Sequence, residues 1–424
     1  MKPLLLLAAF FICFNANSQV LKRLGERAKQ KVENVAGNKV DKTIDEAVDG
    51  KKKTPVNKTV ETETDAADQT TATTTATANT TLKAYSKYDF VPGEKTIAFD
   101  NFERVNIGDF PTNWNTDASG EVVTLSGREG KWLKINTGGE YFAEFINGIP
   151  ENSTIEFDLG SSNNYSWGSS SMYLYIASLE DKNRFNNTGY YGKYLSFELH
   201  PMLGEQNKMG GVHFTTGNST SKIDNRSNIK NWDNQNNLFA HVSLWRQGQR
   251  LRMYVNGDKV ADLPRAFDAD GKYSDLIFHT NAIQQTKGDY LVISNIRLAT
   301  GAPDTRNKLI SEGKWVTTGI LFDVNSDKIK SESYGTLKEI AGVLTENPTI
   351  KVKIVGHTDS DGDDNANLEL SKKRSTAVKA ALVKEFGINE ANLETDGKGE
   401  SVPVDKNTTS EGKANNRRVE FVKI

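Results

Sequence analysis

The chain has 424 residues, which is longer than one ordinary domain and predicts two or three. Hydrophobic residues make up 36% of it and charged residues 25%, so there is enough apolar material for packed cores. The formal net charge of -2 excludes a global field that would attract nucleic acid, and we expect no nucleic-acid partner.

The first eighteen residues have the pattern of an export signal. One lysine precedes an apolar run from Pro3 to Phe14, and the small-residue pattern Ala16-Asn17-Ser18 follows. Because this run is too short to span a bilayer, we predict a signal peptide over residues 1–18. It contains the sole cysteine, Cys13, and the bulky Ile12 before it argues against lipidation. The mature chain then has no disulfide and no thiolate metal site.

Two segments of different character follow the signal. Residues 19–50 place small apolar side chains at helical spacing among lysines and arginines, which is typical of a basic amphipathic helix or of a solvated spacer. Residues 51–95 are dominated by threonine and alanine and cannot bury enough surface to offset their ordering entropy. We predict a flexible linker there.

Residues 96–301 have the sequence pattern of an all-β domain. Short alternating runs such as TIEFDL, MYLYI and YLSFEL are separated by Gly, Asn, Ser and Asp clusters that predict turns. Asn256-Gly257 is the strongest hairpin signal, because a two-residue type I′ turn needs positive φ at both positions. About a dozen strands predict a sandwich of two sheets.

After a predicted linker over residues 302–314, the pattern changes to alternating strands and helices. A strand is predicted over Val316 to Phe322, a helix over Ser331 to Thr345, a strand over Ile350 to His357 and a helix from about Ala366 to Phe386. Two short strands close the region. This order predicts a small βαβαβ domain of the α+β class over residues 315–424.

The segment between that second strand and helix carries the most chemistry. Asp359 follows the strand end, and Arg374 lies one turn beyond Leu370 on the helix, so its guanidinium can reach back toward the loop. Asp359 can accept from an ammonium and Arg374 can form a bidentate pair with a carboxylate. From charge types alone, a structural Asp–Arg salt bridge without a ligand is the favoured interpretation of the pair.

Four motifs are spaced along this region: Leu321-Phe322-Asp323, the GHTD segment ending at Asp359, the run from Asn367 to Arg374, and Asn415 to Val419. In this order they resemble the motifs of the OmpA-like peptidoglycan-binding domain. The resemblance covers about a quarter of the chain. It implies that Asp359 and Arg374 hold the diaminopimelate residue of a peptidoglycan stem peptide. It further implies a pocket lined by Thr358 and Asn367 and supported by Leu370, Arg417 and Arg418.

The loop from Asp361 to Asp364 is unusually acidic for that family. Carboxylates at this spacing can ligate calcium, but the loop lacks a terminal bidentate glutamate at EF-hand spacing. We interpret it as a solvated acidic turn and expect no resident cofactor.

The hairpin from His241 to Val260 is similar to the paired strands of concanavalin A-like and laminin G jelly rolls. That fold hosts lectins, hydrolases and adhesion modules, so it does not name a function. Aromatic side chains in polar loops can stack on sugar rings. The candidates are Tyr165, Trp167, Tyr190, Tyr191 and Trp232, which are also candidates for core packing. Trp132 and Trp245 lie in strand-like runs and are expected in the core.

Glu156 and Asp158 alternate along one predicted strand, as the carboxylates of some retaining glycosidases do. A third carboxylate is missing, because Gly160-Ser161 follow, and the alternation also fits an ordinary solvent-facing strand. We therefore predict a non-enzymatic protein, with an envelope glycoside hydrolase as the alternative.

The combined expectation is an exported protein that is periplasmic, associated with the outer membrane and bound to the cell wall. It would bind peptidoglycan through its C-terminal domain and present a jelly-roll sandwich to a glycan or an envelope protein. A flagellar-stator-like or porin-like protein would share the wall-binding domain, but no membrane-spanning signal is present in the sequence.

Overall fold

The computed structural model describes residues 89–185, 189, 191–233, 237–301 and 308–424. The predicted signal peptide, the basic segment 19–50, most of the predicted linker 51–95 and Tyr190 lie outside the described residues. Within them, no helix is both long enough and apolar enough to cross a membrane.

The central region consists of strands that pair in antiparallel fashion. In chain order they are β1 (Lys95–Asp100), β2 (Trp114–Thr116), β3 (Gly120–Leu125), β4 (Arg128–Ile135), β5 (Gly139–Ala143), β6 (Asn152–Ser161), β7 (Met172–Ala177), β8 (Tyr194–His200), β9 (Gly210–Gly217), β10 (Asp224–Ile229), β11 (Phe239–Gln247), β12 (Arg250–Val255), β13 (Asp258–Leu263), β14 (Asp275–Thr280) and β15 (Leu291–Thr300).

These strands form two sheets. The eight-stranded sheet has the order β13-β12-β11-β6-β15-β4-β3, with β1 paired to β15. The seven-stranded sheet has the order β10-β9-β8-β7-β14-β5-β2. Alternate side chains of the strands, such as Phe157 and Leu159 of β6, meet in one apolar core. The predicted two-sheet β-sandwich is therefore present.

The hairpin turn predicted in the sandwich is present, and the two tryptophans expected in the core differ in burial. Asn256 and Gly257 have φ values of 47° and 86° and connect β12 to β13, as the hairpin signal predicts. Trp132 is buried in β4. Trp245 is only partly buried and packs against Phe90, outside the main core.

The C-terminal region is a mixed sheet with helices. Its strands are β16 (Lys314–Thr317), β17 (Val352–His357), β18 (Leu393–Gly399) and β19 (Val419–Lys423), and its helices are α1 (Tyr334–Glu346), α2 (Asp364–Phe386) and α3 (Ser410–Asn416). The sheet order is β16-β19-β17-β18, with β17 and β18 parallel and the other pairs antiparallel. The α+β architecture agrees with the sequence; the short α3 was not predicted.

Both predicted linkers extend too far. Phe90 and Val91 are buried, and Phe90 packs against Tyr254, so the chain is already packed before residue 95. On the other side, Lys308–Glu312 form a π-helical turn with Leu309 fully buried, directly before β16. Apolar side chains within nominally polar segments are the physical reason for both errors.

Close packing of α2 on β17 fixes the position of the predicted binding residues. A Cβ at Gly356 would lie 2.3 Å from the carbonyl oxygen of Ser371, so only glycine permits this approach. The hydroxyl of Ser371 in turn accepts from the backbone N–H of Gly399, 2.9 Å away. The buried face of α2 is thereby held against the sheet, and Arg374 lies at its flank.

Candidate ligand-binding site

A cavity of about 1270 Å³ lies between the eight-stranded sheet and the C-terminal region. Its C-terminal wall includes all seven residues that the sequence singled out there, namely Thr358, Asp359, Asn367, Leu370, Arg374, Arg417 and Arg418. Its opposite side, here called the sandwich wall, includes Arg128, Glu156, Asp158, Phe239 and His241.

Asp359 lies just after the end of β17 and is buried. Its Oδ2 accepts from Arg417 Nη1 at 2.5 Å, and its Oδ1 accepts from the backbone N–H of Asp361. The direct partner of Asp359 is therefore Arg417 and not Arg374. A charged pair of this kind holds the carboxylate in one orientation at the cavity surface.

Arg374 reaches the same cavity from α2. Its Nε donates to the carbonyl oxygen of Ser326 at 2.9 Å, and its guanidinium carbon lies 4.8 Å from the centroid of the Phe322 ring. Burial lowers the pKa of Arg374, and the neighbouring positive charge of Arg417 lowers it further. Two arginines and one aspartate therefore meet at this wall, with Arg374 bonded to backbone carbonyls.

The remaining C-terminal candidates have distinct positions. Asn367 donates to the carbonyl oxygen of Asp361 at 3.0 Å and to Glu400 Oε2 at 2.6 Å, so it orders the loop that carries Asp359. The Thr358 hydroxyl is buried and makes no hydrogen bond with any described residue. Leu370 is partly buried.

Arg418, the last of these candidates, is buried and bonds to Glu420 and to the carbonyl oxygen of Val402. Its partners belong to the sheet and its edge, which indicates a supporting role.

Two of the three carboxylates of the acidic loop make contacts within the protein. Asp361 pairs with Lys413, at 2.5 and 2.7 Å from its two oxygens, and Asp363 caps the N-terminus of α2. Among the residues that the structure describes, no group of three or more His, Cys, Asp or Glu side chains is placed to hold a metal ion.

The sandwich wall contains a network of buried charges. Glu156 Oε1 accepts from Arg297 at 2.6 Å, and Asp158 accepts from His241 Nδ1 at 2.7 Å and from Asn295 at 2.6 Å. Glu156 is only 4% exposed, so the solvent-face interpretation of this strand is wrong. The C-terminal region covers this face of the sheet.

The pKa values in this network follow from its contacts. Burial favours the neutral acids, but Arg297 and His241 outweigh it at Glu156, and His241 outweighs it at Asp158, so both pKa values are lowered. Burial alone would lower the pKa of His241, but its two carboxylate neighbours raise it to about 10. A glycosidase needs one acid with a raised pKa. Neither carboxylate fits that role.

The predicted sugar-stacking aromatics divide into two groups. Tyr165, Tyr191 and Trp232 are at most 2% exposed, so the prediction is wrong for them: their rings pack in the cores, as in the alternative weighed for them. Trp167 is 72% exposed and remains accessible.

Sequence reasoning missed the part of the site that depends on tertiary contact. Arg417 was placed in a supporting role, although it is the residue that pairs with Asp359. The sequence does not single out Arg128, and it presents His241 only as part of a hairpin. The alternation of Glu156 and Asp158 along β6 was the available signal, since His241 lies directly opposite Asp158 on β11.

Comparison with known proteins bears on the C-terminal region. Residues 321–417 match the model of the OmpA family. The lipoprotein YfiB of Escherichia coli is 36% identical over 115 residues, which are 26% of this chain and 72% of that protein. The chain belongs to the OmpA family. The matched residues 321–417, here called the OmpA-family domain, contain the named residues of the C-terminal wall except Arg418, while the sandwich lies outside the match to the family model.

Other relatives of this chain belong to the bacterial envelope by name. Outer membrane porin F of Pseudomonas aeruginosa is 30% identical over 216 residues, or 50% of this chain, and the chain spans 57% of that protein. Among solved structures, the peptidoglycan-associated lipoprotein of Burkholderia pseudomallei is 27% identical, with coverage of 28% of this chain and 98% of that one and a TM-score of 0.25.

Proposed function

We propose that this chain is a non-catalytic envelope protein that binds peptidoglycan through the C-terminal wall of the cavity. Asp359 accepts from the side-chain ammonium of diaminopimelate, and Arg374 donates to the neighbouring carboxylate. The observation that carries the proposal is that both side chains line one cavity. Their opposite charges match an amino acid that bears both signs.

The contacts around the pair support this assignment. Arg417 keeps Asp359 at the cavity surface, while Asn367 fixes the loop behind it. Thr358 adds a hydroxyl without a hydrogen-bond partner among the described residues. A ligand that meets groups already held in position loses less conformational entropy on binding.

The proposed location is the periplasm, at the outer membrane and the cell wall. The names of the relatives support it, since they include outer membrane proteins and lipoproteins. Export would depend on residues 1–18.

Retention on purified peptidoglycan sacculi tests the proposal. Asp359→Ala and Arg374→Ala each remove one partner of a desolvated charged contact, which costs about 2–5 kcal/mol of binding. We expect both variants to remain in the supernatant when sacculi are sedimented, whereas the unaltered chain sediments with them.

Two exposed residues of α2 provide matched controls. Lys373→Ala removes a neighbouring cation and Asp364→Asn a neighbouring carboxylate, and neither residue lines the cavity. Both controls should sediment like the unaltered chain, and thermal melts should show that all four variants are folded. If Asp359→Ala and Arg374→Ala sediment normally, the site assignment is wrong.

We also propose that the jelly-roll sandwich binds carbohydrate or an envelope protein through its free surface. Trp167, whose ring is 72% exposed, supports the carbohydrate version. A glycan array probed with the whole chain should show binding that Trp167→Ala removes. Release of reducing sugar from an array ligand, dependent on Glu156 or Asp158, would instead favour the envelope hydrolase.

A further inference from the structure

The cavity is too large for one amino acid. Its volume of about 1270 Å³ exceeds the roughly 300–1,000 Å³ of typical small-molecule sites. Asp359 and Arg374 occupy only its C-terminal wall, and the sandwich wall faces the remaining volume. A stem peptide whose diaminopimelate end is held at the C-terminal wall would therefore extend along the sandwich wall.

The charges that line the cavity are not balanced. Most carboxylates there already have cationic partners, as in the Glu156–Arg297 and Asp359–Arg417 pairs. Four lining cations form no ion pair with any carboxylate among the described residues: Arg128, Lys131, Lys330 and Arg374. Lys131 instead donates to the backbone carbonyl oxygens of Glu103 and Val105, at 2.9 and 2.7 Å. The lining carboxylates Glu103 and Glu129 are solvent-exposed and Glu332 is partly buried; Glu129 accepts from the backbone N–H of Val324.

Two of these cations, Arg128 and Lys131, belong to the sandwich. Because Lys131 is held by two backbone carbonyls, Arg128 is the one that is available to a ligand. It begins β4 and is exposed, with its guanidinium carbon 4.0 Å above the centroid of the Phe239 ring. Stacking on the aromatic face restricts the side chain while its N–H groups stay free to donate at the edge of the guanidinium. That arrangement suits bidentate recognition of a carboxylate.

Building on the proposed peptidoglycan binding, we propose that Arg128 binds a second carboxylate of the same stem peptide. The ligand class is thus an acidic peptide that carries at least two carboxylates, one at diaminopimelate and one on the residue before it. The sandwich acts as part of the peptidoglycan site, and it selects stems in which this second carboxylate is free over stems in which it is amidated.

Calorimetric titration with two synthetic peptides tests this. One is L-alanyl-γ-D-glutamyl-meso-diaminopimelate; the other is the same tripeptide with the glutamyl α-carboxylate amidated. The whole chain should bind the free acid at least about tenfold more tightly than the amide. Arg128→Ala should lower the affinity for the free acid to that for the amide and leave the affinity for the amide unchanged. Arg128→Lys should retain part of the preference.

Arg226→Ala is the matched control, since Arg226 is exposed on β10 of the other sheet and does not line the cavity. It should keep the full preference. Equal affinity of the unaltered chain for both peptides, or an undiminished preference in Arg128→Ala, would overturn the role of the sandwich while peptidoglycan binding stands. Failure to bind either peptide, together with loss of sedimentation on sacculi, would instead overturn the proposed function.

Discussion

The charged side chains of the two cavity walls are paired in different ways. On the sandwich wall, Glu156, Asp158, His241 and Arg297 form a buried network in which each carboxylate has a cation within hydrogen-bond distance. On the C-terminal wall, Arg417 pairs with Asp359, but Arg374 donates to the backbone carbonyl of Ser326 and keeps an uncompensated charge.

The charges of the sandwich wall therefore form a structural network, whereas Arg374 on the C-terminal wall is available to bind a ligand. Charges that are buried and mutually paired contribute to stability only as a set, since removing one leaves the others desolvated without a partner. Charges left uncompensated at a cavity surface contribute little to folding and are available to a ligand. Variants on the sandwich network should therefore change the free energy of unfolding, and variants at Arg374 should change binding. Asp359 combines both roles, because it is paired with Arg417 and also lines the cavity.

The largest effect is expected at His241. His241→Gln removes the cation between Glu156 and Asp158 and should cost about 3–5 kcal/mol of unfolding free energy near neutral pH. Because the pKa of His241 is raised to about 10 in the folded protein, its contribution is complete below about pH 6.5. It then declines by about 1.4 kcal/mol per pH unit as the pH rises toward 10.

Urea unfolding of the native protein and the variant, at intervals from pH 6 to pH 9.5, measures this decline. The difference in their free energies of unfolding should narrow as the pH rises. His213→Gln is the control, because His213 pairs with an exposed aspartate, Asp224, and such surface pairs are worth about 0–1 kcal/mol. A constant difference between native protein and His241→Gln across the pH range would mean that His241 is not held protonated by this network.

An intermediate effect is expected where the segment before β1 contacts the OmpA-family domain. A Cβ at Gly335 would lie 2.0 Å from the carbonyl oxygen of Phe90, so Gly335→Ala must displace backbone and should cost about 1–3 kcal/mol. Gly342 lies on the same helix with nothing within 4 Å of its Cβ position. Gly342→Ala should stabilise by about 0.5–1 kcal/mol, since alanine favours the helix.

Thermal melts of the two alanine variants check this pair. Opposite shifts in melting temperature are expected from the same substitution on one helix. If both variants are stabilised, the contact between α1 and the segment around Phe90 is absent in solution, and the OmpA-family domain is joined to the sandwich less tightly than these contacts require.

How much the sequence predicts also differs between the two walls. Five residues of the C-terminal wall, from Thr358 to Arg374, lie close together in sequence, so the strand ending at His357 and the helix bearing Arg374 could be found from periodicity and motif spacing. Arg417 is distant in sequence, and its pairing with Asp359 could not be found in this way. The sandwich wall joins residues that are far apart, such as Asp158 and His241 on neighbouring strands. Strand register and domain packing bring them together, and neither is encoded in a local pattern.

The same limit explains the wrong assignments of single residues. Tyr165 and Trp232 lie in polar loops, yet each fills core volume, because a loop can fold back over the sheet that it connects. Glu156 looked solvent-facing because strand alternation distinguishes two faces of a sheet but does not reveal that a second domain covers one of them. Trp167, in the same loop as Tyr165, stays exposed.

The smallest effect is expected at Asp363. Its variants distinguish two roles of this side chain: ordering the first turn of α2 and contributing negative charge to the acidic loop. Its Oδ1 accepts from the backbone N–H groups of Asn365 and Ala366, both at 3.0 Å, so Asp363→Ala should cost about 1 kcal/mol of unfolding free energy. Asp363→Ser keeps the cap without the charge and should recover most of that loss. If the acidic loop attracts the ligand by its charge, both variants should change sedimentation on sacculi equally. If Asp363 only orders the first turn of α2, Asp363→Ala should weaken sedimentation and Asp363→Ser should restore most of it. The reason is that loss of the cap disturbs the positions of Asn367 and Arg374.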